Sequence, residues 1–236
     1  MHRDRKISLA NFRQPYTRGM DEPVHSGPSR SRTNDPARTM AGILEVATAE
    51  FAEKGLAGAR IDEIANLTRT SKRMIYYYFG NKEGLYLAVL EEAYRKVRAT
   101  ESDLHLEDLE PEEALRALVG FTFDHHHGNT AYIRLVMTEN INRGMYLAQS
   151  QNIQALNLPA IQAIRNLYDR GVTSGVFRPG LDPVDIHATI SALSFFNVSN
   201  QHTFGLIFKL DTQAPQALAE RRANVIEVIV RYLRAP

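Results

Sequence analysis

Between positions 69 and 82 the chain sets out Arg69, Ser71, Lys72, Arg73, Tyr76, Tyr77, Tyr78 and Lys82. Lysine and arginine are donors without acceptor capacity, and arginine presents a planar fork. Interleaved with phenol hydroxyls, such groups suit phosphate oxygens and the edges of bases. Ser71 is placed to cap a helix that starts at Lys72, and a helix N-terminus itself attracts phosphate. Successive helical side chains point about 100° apart. Three consecutive tyrosines therefore face three directions, and at least one must offer its hydroxyl to a partner or to water. Taken alone, the segment also fits an amphipathic helix with two solvated bases.

A second cluster is His125-His126-His127. Metal-binding helices usually place ligands four residues apart, and three adjacent histidines cannot converge on one ion without unwinding. A helix end with one inward histidine is the reading adopted. An enzyme built on this cluster with Asp124 or Glu139 is an alternative, but no nucleophile elbow, glycine-rich phosphate loop or metal spacing accompanies it. No metal and no cofactor is implied, and no catalytic residue is assigned.

These residues must be held by something. The 236 residues are 44% apolar, enough for a core of useful size, and include no cysteine. No apolar run approaches the roughly 18–20 residues that span a bilayer. The start, MHRDRKISLANFRQ, lacks the apolar stretch of a secretory signal. A cytoplasmic protein with no membrane partner is the expectation. Net charge is only +1, yet residues 1–40 hold eight basic side chains against four acidic ones. Residues 1–34 show no sustained period and read as a disordered basic arm. Such an arm attracts polyanions or stays a solvated bystander.

Order is expected from Asp35-Pro36, a cap followed by a residue suited to the first helical position. Met40, Ile43, Leu44, Ala47 and Phe51 recur at helical spacing up to a stop at Gly55. A short second helix carries Ile61, Ile64 and Ala65 on one face, and Thr68-Arg69-Thr70 breaks it. The third runs from Ser71 to about Tyr78. A fourth begins near Asn81, with Leu85, Ala88, Val89, Ala93 and Val97 as its buried stripe. Further helices are predicted over 111–126, 130–142, 159–174, 183–200 and 215–233, the last facing inward through Leu218, Val225, Ile229, Tyr232 and Leu233. No hairpin signal appears, so strands are not expected. The fold class is all-α: a helix-turn-helix domain over 35–84 and a helical bundle over 85–236.

Two short helices joined by a tight turn are the helix-turn-helix pattern, whose second helix lies in the major groove. The stretch Ile64-Ala65, then Thr70-Ser71-Lys72-Arg73-Met74-Ile75-Tyr76-Tyr77-Tyr78-Phe79-Gly80-Asn81-Lys82-Glu83-Gly84-Leu85, resembles the signature of TetR-type regulators. Phe51-Ala52-Glu53-Lys54-Gly55 matches the end of that family's first helix. The resemblance covers about residues 37–90 and implies a transcriptional regulator that binds double-stranded DNA at a palindromic operator. It puts Lys72, Arg73 and Tyr76 at base-contact positions. It puts Tyr77, Tyr78 and Lys82 at backbone-contact positions, with Thr39 as a further phosphate candidate. Phe51, Ile64, Ala65, Ile75 and Phe79 fall at core positions. Two departures stand out. Arg69 replaces a small turn glycine, and Arg60 replaces the Ser or Thr that usually caps the second helix. Both add positive charge near the expected DNA face.

For the C-terminal half the resemblance implies a homodimer and a pocket for a small-molecule effector of unknown identity. Helices 183–200 and 215–233 have broad apolar faces that suit a two-fold interface, though packing within one chain is the simpler use. A pocket needs apolar walls and a few orienting polar atoms. Phe121, His125, Met137, Asn140, Tyr168, Phe195, Phe196, Asn200 and His202 are the candidates. The fourth helix is expected to be the only element touching both the reading head and the bundle. A repressor released by its effector is the leading reading. A DNA-binding architectural protein without an effector is the alternative.

Overall fold

The computed structural model describes residues 35–236, so the basic arm expected over 1–34 lies outside the described residues. Ten α-helices follow in order: α1 Pro36–Gly58, α2 Ile61–Leu67, α3 Lys72–Phe79, α4 Lys82–Ser102, α5 Pro111–Gly128, α6 Thr130–Ile141, α7 Gln151–Thr173, α8 Pro183–Ser199, α9 Gln201–Phe208 and α10 Pro215–Leu233. No named strand occurs among the described residues. One antiparallel bridge pairs Phe177 with Arg234 and ties the loop after α7 to the end of α10.

Two buried clusters organise the chain. The first holds Ile43, Ala47 and Phe51 of α1, Ile61, Ile64 and Ala65 of α2, Ile75 of α3 and Leu85, Tyr86, Val89 and Leu90 of α4. Leu135 of α6 and Ile153 of α7 join the same cluster. The core of the reading head is therefore completed by residues from the bundle. Of the expected core positions, Phe79 is only partly buried, packed against the cluster's rim, and so are Ala88 and Ala93 of the α4 stripe and Leu218 of the last helix. The second cluster lies among α5, α7, α8 and α10, and includes Val225, Ile229 and Leu233 of the last helix; Tyr232 packs partly buried against it.

Most helix boundaries follow their local signals. Gly55 has φ 65, a left-handed value that breaks α1 where a stop was expected. Ser71 accepts from the Met74 amide at 3.2 Å and caps α3, and Asn81 accepts from the Gly84 amide at 2.7 Å and caps α4. Three features depart from expectation. Helix α7 starts at Gln151, not at Pro159, because Ser150 caps it by accepting from the Ile153 amide at 3.1 Å. Pro159 then sits inside the helix. Its missing N–H deprives the Ala155 carbonyl of a donor, and both residues line an open cleft where water can serve instead. Helix α9 was not foreseen at all. Helix α4 is also not the only link between head and bundle, because α6 packs against α1 as well.

Candidate nucleic-acid interface and effector chamber

The turn between α2 and α3 fixes how the reading helix is presented. The Thr70 amide donates to the Ala65 carbonyl at 2.9 Å, and the Arg69 amide to the Asn66 carbonyl at 3.2 Å. This double closure is a Schellman motif, which puts its C′ residue in the left-handed region. That residue is Arg69, with φ 53. The position where glycine is usual is thus filled by a strained arginine whose exposed side chain adds a cation beside the reading helix.

Helix α3 buries Ile75 and leaves Lys72, Arg73, Tyr76 and Tyr77 exposed, Tyr77 at 77% and Tyr76 at 42%. Tyr78 is half-buried, its ring edge-on to Tyr77 with centroids 5.4 Å apart. Lys72 pairs with Asp62 of α2. At the start of α4, Lys82 donates to the Ala57 carbonyl at 3.4 Å. A Cβ on Gly84 would stand 2.1 Å from the Phe79 carbonyl oxygen, so the joint between α3 and α4 requires glycine. Thr39 lies in the first turn of α1, partly buried. Arg60 precedes α2, and its side chain makes no capping bond.

No local pattern in the sequence marks Glu50. This residue of α1 is 8% exposed and accepts from Lys54 Nζ at 2.9 Å and from the Arg60 amide at 3.0 Å. Burial alone would raise its pKa, but the Lys54 and Arg60 donors outweigh that and hold the carboxyl below its usual value. Glu50 thereby satisfies the amide of the N-cap residue itself, the bond that the third-position carboxylate makes in a capping box.

In the bundle, five helices enclose a chamber of about 190 Å³. Its aromatic walls are Tyr94 of α4, Phe121 of α5, Tyr132 of α6 and Phe195 of α8. Its polar groups are Arg98 and Glu101 of α4, His125 and His126 of α5, and His187 of α8. Two histidines of the triplet therefore face inward, where one was expected. Their rings lie 6.2 Å apart and each meets the Tyr132 ring. Burial, with nearby positive charge, pushes His126 down to about 4, and His125 and His187 are lowered too. Among the described residues no group of three or more acidic or histidine side chains is placed to hold a metal ion.

Of the nine pocket candidates, Phe121, His125 and Phe195 line this chamber. Phe196 and Asn200 line a separate pocket of about 450 Å³ against α9. Tyr168 belongs to the second core, its hydroxyl donating to the Arg178 carbonyl and accepting from the Leu181 amide, both at 2.9 Å. Met137 is one position past Val136, which takes the chamber-facing turn of α6, and so points about 100° away. Asn140 is exposed and bonds back to the Val136 carbonyl at 2.9 Å, while His202 is exposed on α9.

Comparison with known proteins agrees with this layout. Residues 43–89 match the family model described as bacterial regulatory proteins, tetR family. Residues 111–229 match that of the tetracyclin repressor-like C-terminal domain. The chain is 34% identical over 203 residues to the HTH-type transcriptional repressor NicS of Pseudomonas putida, covering 86% of this chain and 96% of that one. It belongs to the TetR family. It is a DNA-binding transcriptional regulator. The HTH-type transcriptional repressor SCO4008 of Streptomyces coelicolor is 34% identical over 149 residues, 62% of this chain and 74% of that one. Among solved structures, the putative transcriptional regulator SCO4942 of Streptomyces coelicolor superposes with a TM-score of 0.63 at 27% identity, covering 84% of this chain and 99% of the other. A TetR-family regulatory protein from Rhodococcus RHA1 gives a TM-score of 0.66 at 20% identity over 84% of this chain and 98% of that one, a likeness of fold. TetR-family regulators bind DNA operators and act as dimers. No helix among the described residues is long and apolar enough to cross a membrane.

Proposed function

We propose that this TetR-family chain is a cytoplasmic repressor that holds a palindromic operator as a homodimer and leaves it when a small molecule enters the bundle. The observation that carries this reading is the double membership of α4 and α6. Leu85, Tyr86, Val89 and Leu90 of α4 and Leu135 of α6 belong to the reading-head core. Tyr94, Arg98 and Glu101 of α4 and Tyr132 and Val136 of α6 line the chamber. A ligand that favours one position of these helices must therefore shift the head.

On DNA, Lys72, Arg73 and Tyr76 read base edges, while Tyr77, Tyr78, Lys82, Arg60, Arg69, Ser71 and Thr39 hold phosphates. Two such heads reach successive major grooves on one face when they stand one helical turn apart, roughly 34–36 Å. The second copy supplies that spacing. Val184 and Phe196 of α8 and Val228 of α10 are exposed at 52%, 45% and 52%, apolar side chains that a two-fold partner would cover. The two relatives named as repressors support the sign of regulation.

The test is titration of DNA flanking the chain's own gene, followed by fluorescence anisotropy, against a scrambled duplex of equal length. Tight, saturable binding to one palindrome by two protomers supports the reading. Equal affinity for both duplexes with a steep salt slope would make the protein a non-specific architectural binder.

A further inference from the structure

The α4–α8 chamber carries a chemical signature of its own. Arg98 gives its Nη1 to Glu101, three positions on in α4. The Nε of Arg98 is buried without any partner, and so are the Nδ1 atoms of His125 and His126. A buried polar atom left unpaired is costly, and native proteins seldom keep several in one place without a use. Here three of them belong to residues lining one enclosed space. The guanidinium edge that includes Nε is the side chain surface best matched to a carboxylate. The space is smaller than the 300 Å³ or more usual for drug-sized ligands.

We infer that the chamber receives a small organic carboxylate, its oxygens held by the Nε edge of Arg98 and the ring nitrogens of His125 and His126, its apolar body packed between Tyr132 and Phe195. This rests on the reading that the bundle holds an effector, and it names that effector's chemical class. A sugar or a simple hydrocarbon would leave the arginine edge either underused or desolvated for nothing.

The ionisable groups facing the site are Tyr94, Arg98 and Glu101 from α4, His125 and His126 from α5, Tyr132 from α6 and His187 from α8, with the uncharged Asn157 from α7. In the empty chamber burial keeps the histidines neutral and raises the Glu101 carboxyl above its usual range, Arg98 opposing that rise. An incoming anion favours the protonated form of every one of these four groups. Binding therefore takes up protons, and affinity falls as pH rises between the free and bound pKa values.

The experiment uses the full chain, with benzoate and phenylacetate as probes and benzamide and phenylacetamide as uncharged partners of matched shape. Isothermal titration is run at pH 6 and pH 8, in two buffers of different ionisation enthalpy. The expected result is binding of the acids, none by the amides, a weaker Kd at pH 8 and net proton uptake. Arg98→Gln should weaken acid binding roughly 10–100-fold, the loss of a buried charged hydrogen bond. Because that change strands Glu101, the paired variant Arg98→Gln/Glu101→Gln is measured too, with circular dichroism to verify folding, and should bind acids as poorly. Amides binding as well as acids, acid binding that ignores Arg98, or no binding by any probe at millimolar concentration would overturn the assignment. DNA affinity is measured separately with and without acid. Acids that bind but leave DNA affinity unchanged sink the induction reading and spare this one; release of DNA by an uncharged ligand does the reverse.

Discussion

Arg134 of α6 stands with its Nη1 2.8 Å from a carboxylate oxygen of Glu53 on α1, and its Nη2 reaches the Glu53 carbonyl at 3.2 Å. The pair joins a helix of the chamber wall to the first helix of the reading head. It lies at the surface, where such a pair contributes about 0–1 kcal/mol to stability. Its value is positional. Arg134→Ala should leave the melting temperature within about 2 °C, on the usual scale of a few degrees per kcal/mol. It should also leave ligand-free operator affinity nearly unchanged while shrinking the effector's effect on that affinity. A typical coupling is 1–3 kcal/mol, so the change is readable as a ratio of Kd values with and without effector. An unaltered ratio would remove α6 from the route and leave α4.

Lys72 does not wait freely for DNA, because Asp62 holds it. Breaking a half-exposed pair costs little, ~0.2–1 kcal/mol, and removing Asp62 also removes a negative charge from the approach to the phosphates. Asp62→Asn should therefore tighten operator binding a few-fold, most visibly at low salt, where charge is least screened. Weaker binding would mean that Asp62 itself positions Lys72 for its contact.

Arg73 and Lys82 should separate by the type of contact each makes. Arg73 is exposed in the first turn of α3. Arg73→Ala should lose about 1–3 kcal/mol on the operator and much less on random DNA, as for a base contact. Lys82 sits at the joint and donates to the Ala57 carbonyl. Lys82→Ala should weaken both duplexes alike and lower the salt slope by about one unit. Titrations on both duplexes at four salt concentrations give both numbers.

The reading head was legible because its signals are local. Ser71 and Asn81 cap helices within three residues of themselves, and Ile61, Ile64 and Ala65 show their common face within a single turn and a half. The chamber was legible only in part: Phe121, His125 and Phe195 were among the pocket candidates and line it, while its remaining walls were not marked. Arg98 and His126 meet only because α4 and α5 pack side by side, and no period in either helix marks a position as chamber wall rather than ordinary core. Helix α9 escaped for a related reason. Leu206, Ile207 and Phe208 are exposed at 80%, 71% and 58%, so this short apolar helix shows no amphipathic pattern to find. Helix α7 was misjudged at its start because Pro159 is a strong start signal locally, while Ser150, which does cap the helix, also donates to Glu91 of α4 at 2.6 Å.

Glu50 predicts a pH effect whose sign is fixed. Its carboxyl is held below its ordinary value in the fold by Lys54 and the Arg60 amide, against burial. A depressed carboxylate contributes stability above the unfolded pKa, and that contribution is lost as pH falls through the folded pKa. Glu50→Gln keeps an acceptor but loses the charge. It should lower stability at pH 7 by about 1–3 kcal/mol, as for a buried hydrogen bond to a charged group. The gap between variant and parent should narrow as pH drops below the unfolded value. Urea unfolding at pH 7 and pH 4 measures it, and a gap constant with pH would show that shape rather than charge is at stake.

Arg69 offers a case where stability and function pull apart. Its φ of 53 places a long side chain in a region that suits glycine, at the C′ position of α2. A non-glycine residue held there costs on the order of 1 kcal/mol. Arg69→Gly should relieve that strain, though the freer unfolded chain gives part of it back. The net expectation is a melting temperature equal to the parent's or a few degrees higher. DNA binding should move the other way. If the exposed guanidinium reaches a phosphate beside the reading helix, its loss lowers the salt slope by about one unit and weakens operator and random DNA equally. Arg69→Ala keeps the strain and removes the same charge, so it should match the glycine variant on DNA and fall below it in stability. A glycine variant that binds DNA as tightly as the parent, with an unchanged slope, would show that Arg69 is tolerated in the turn for no reason connected with DNA.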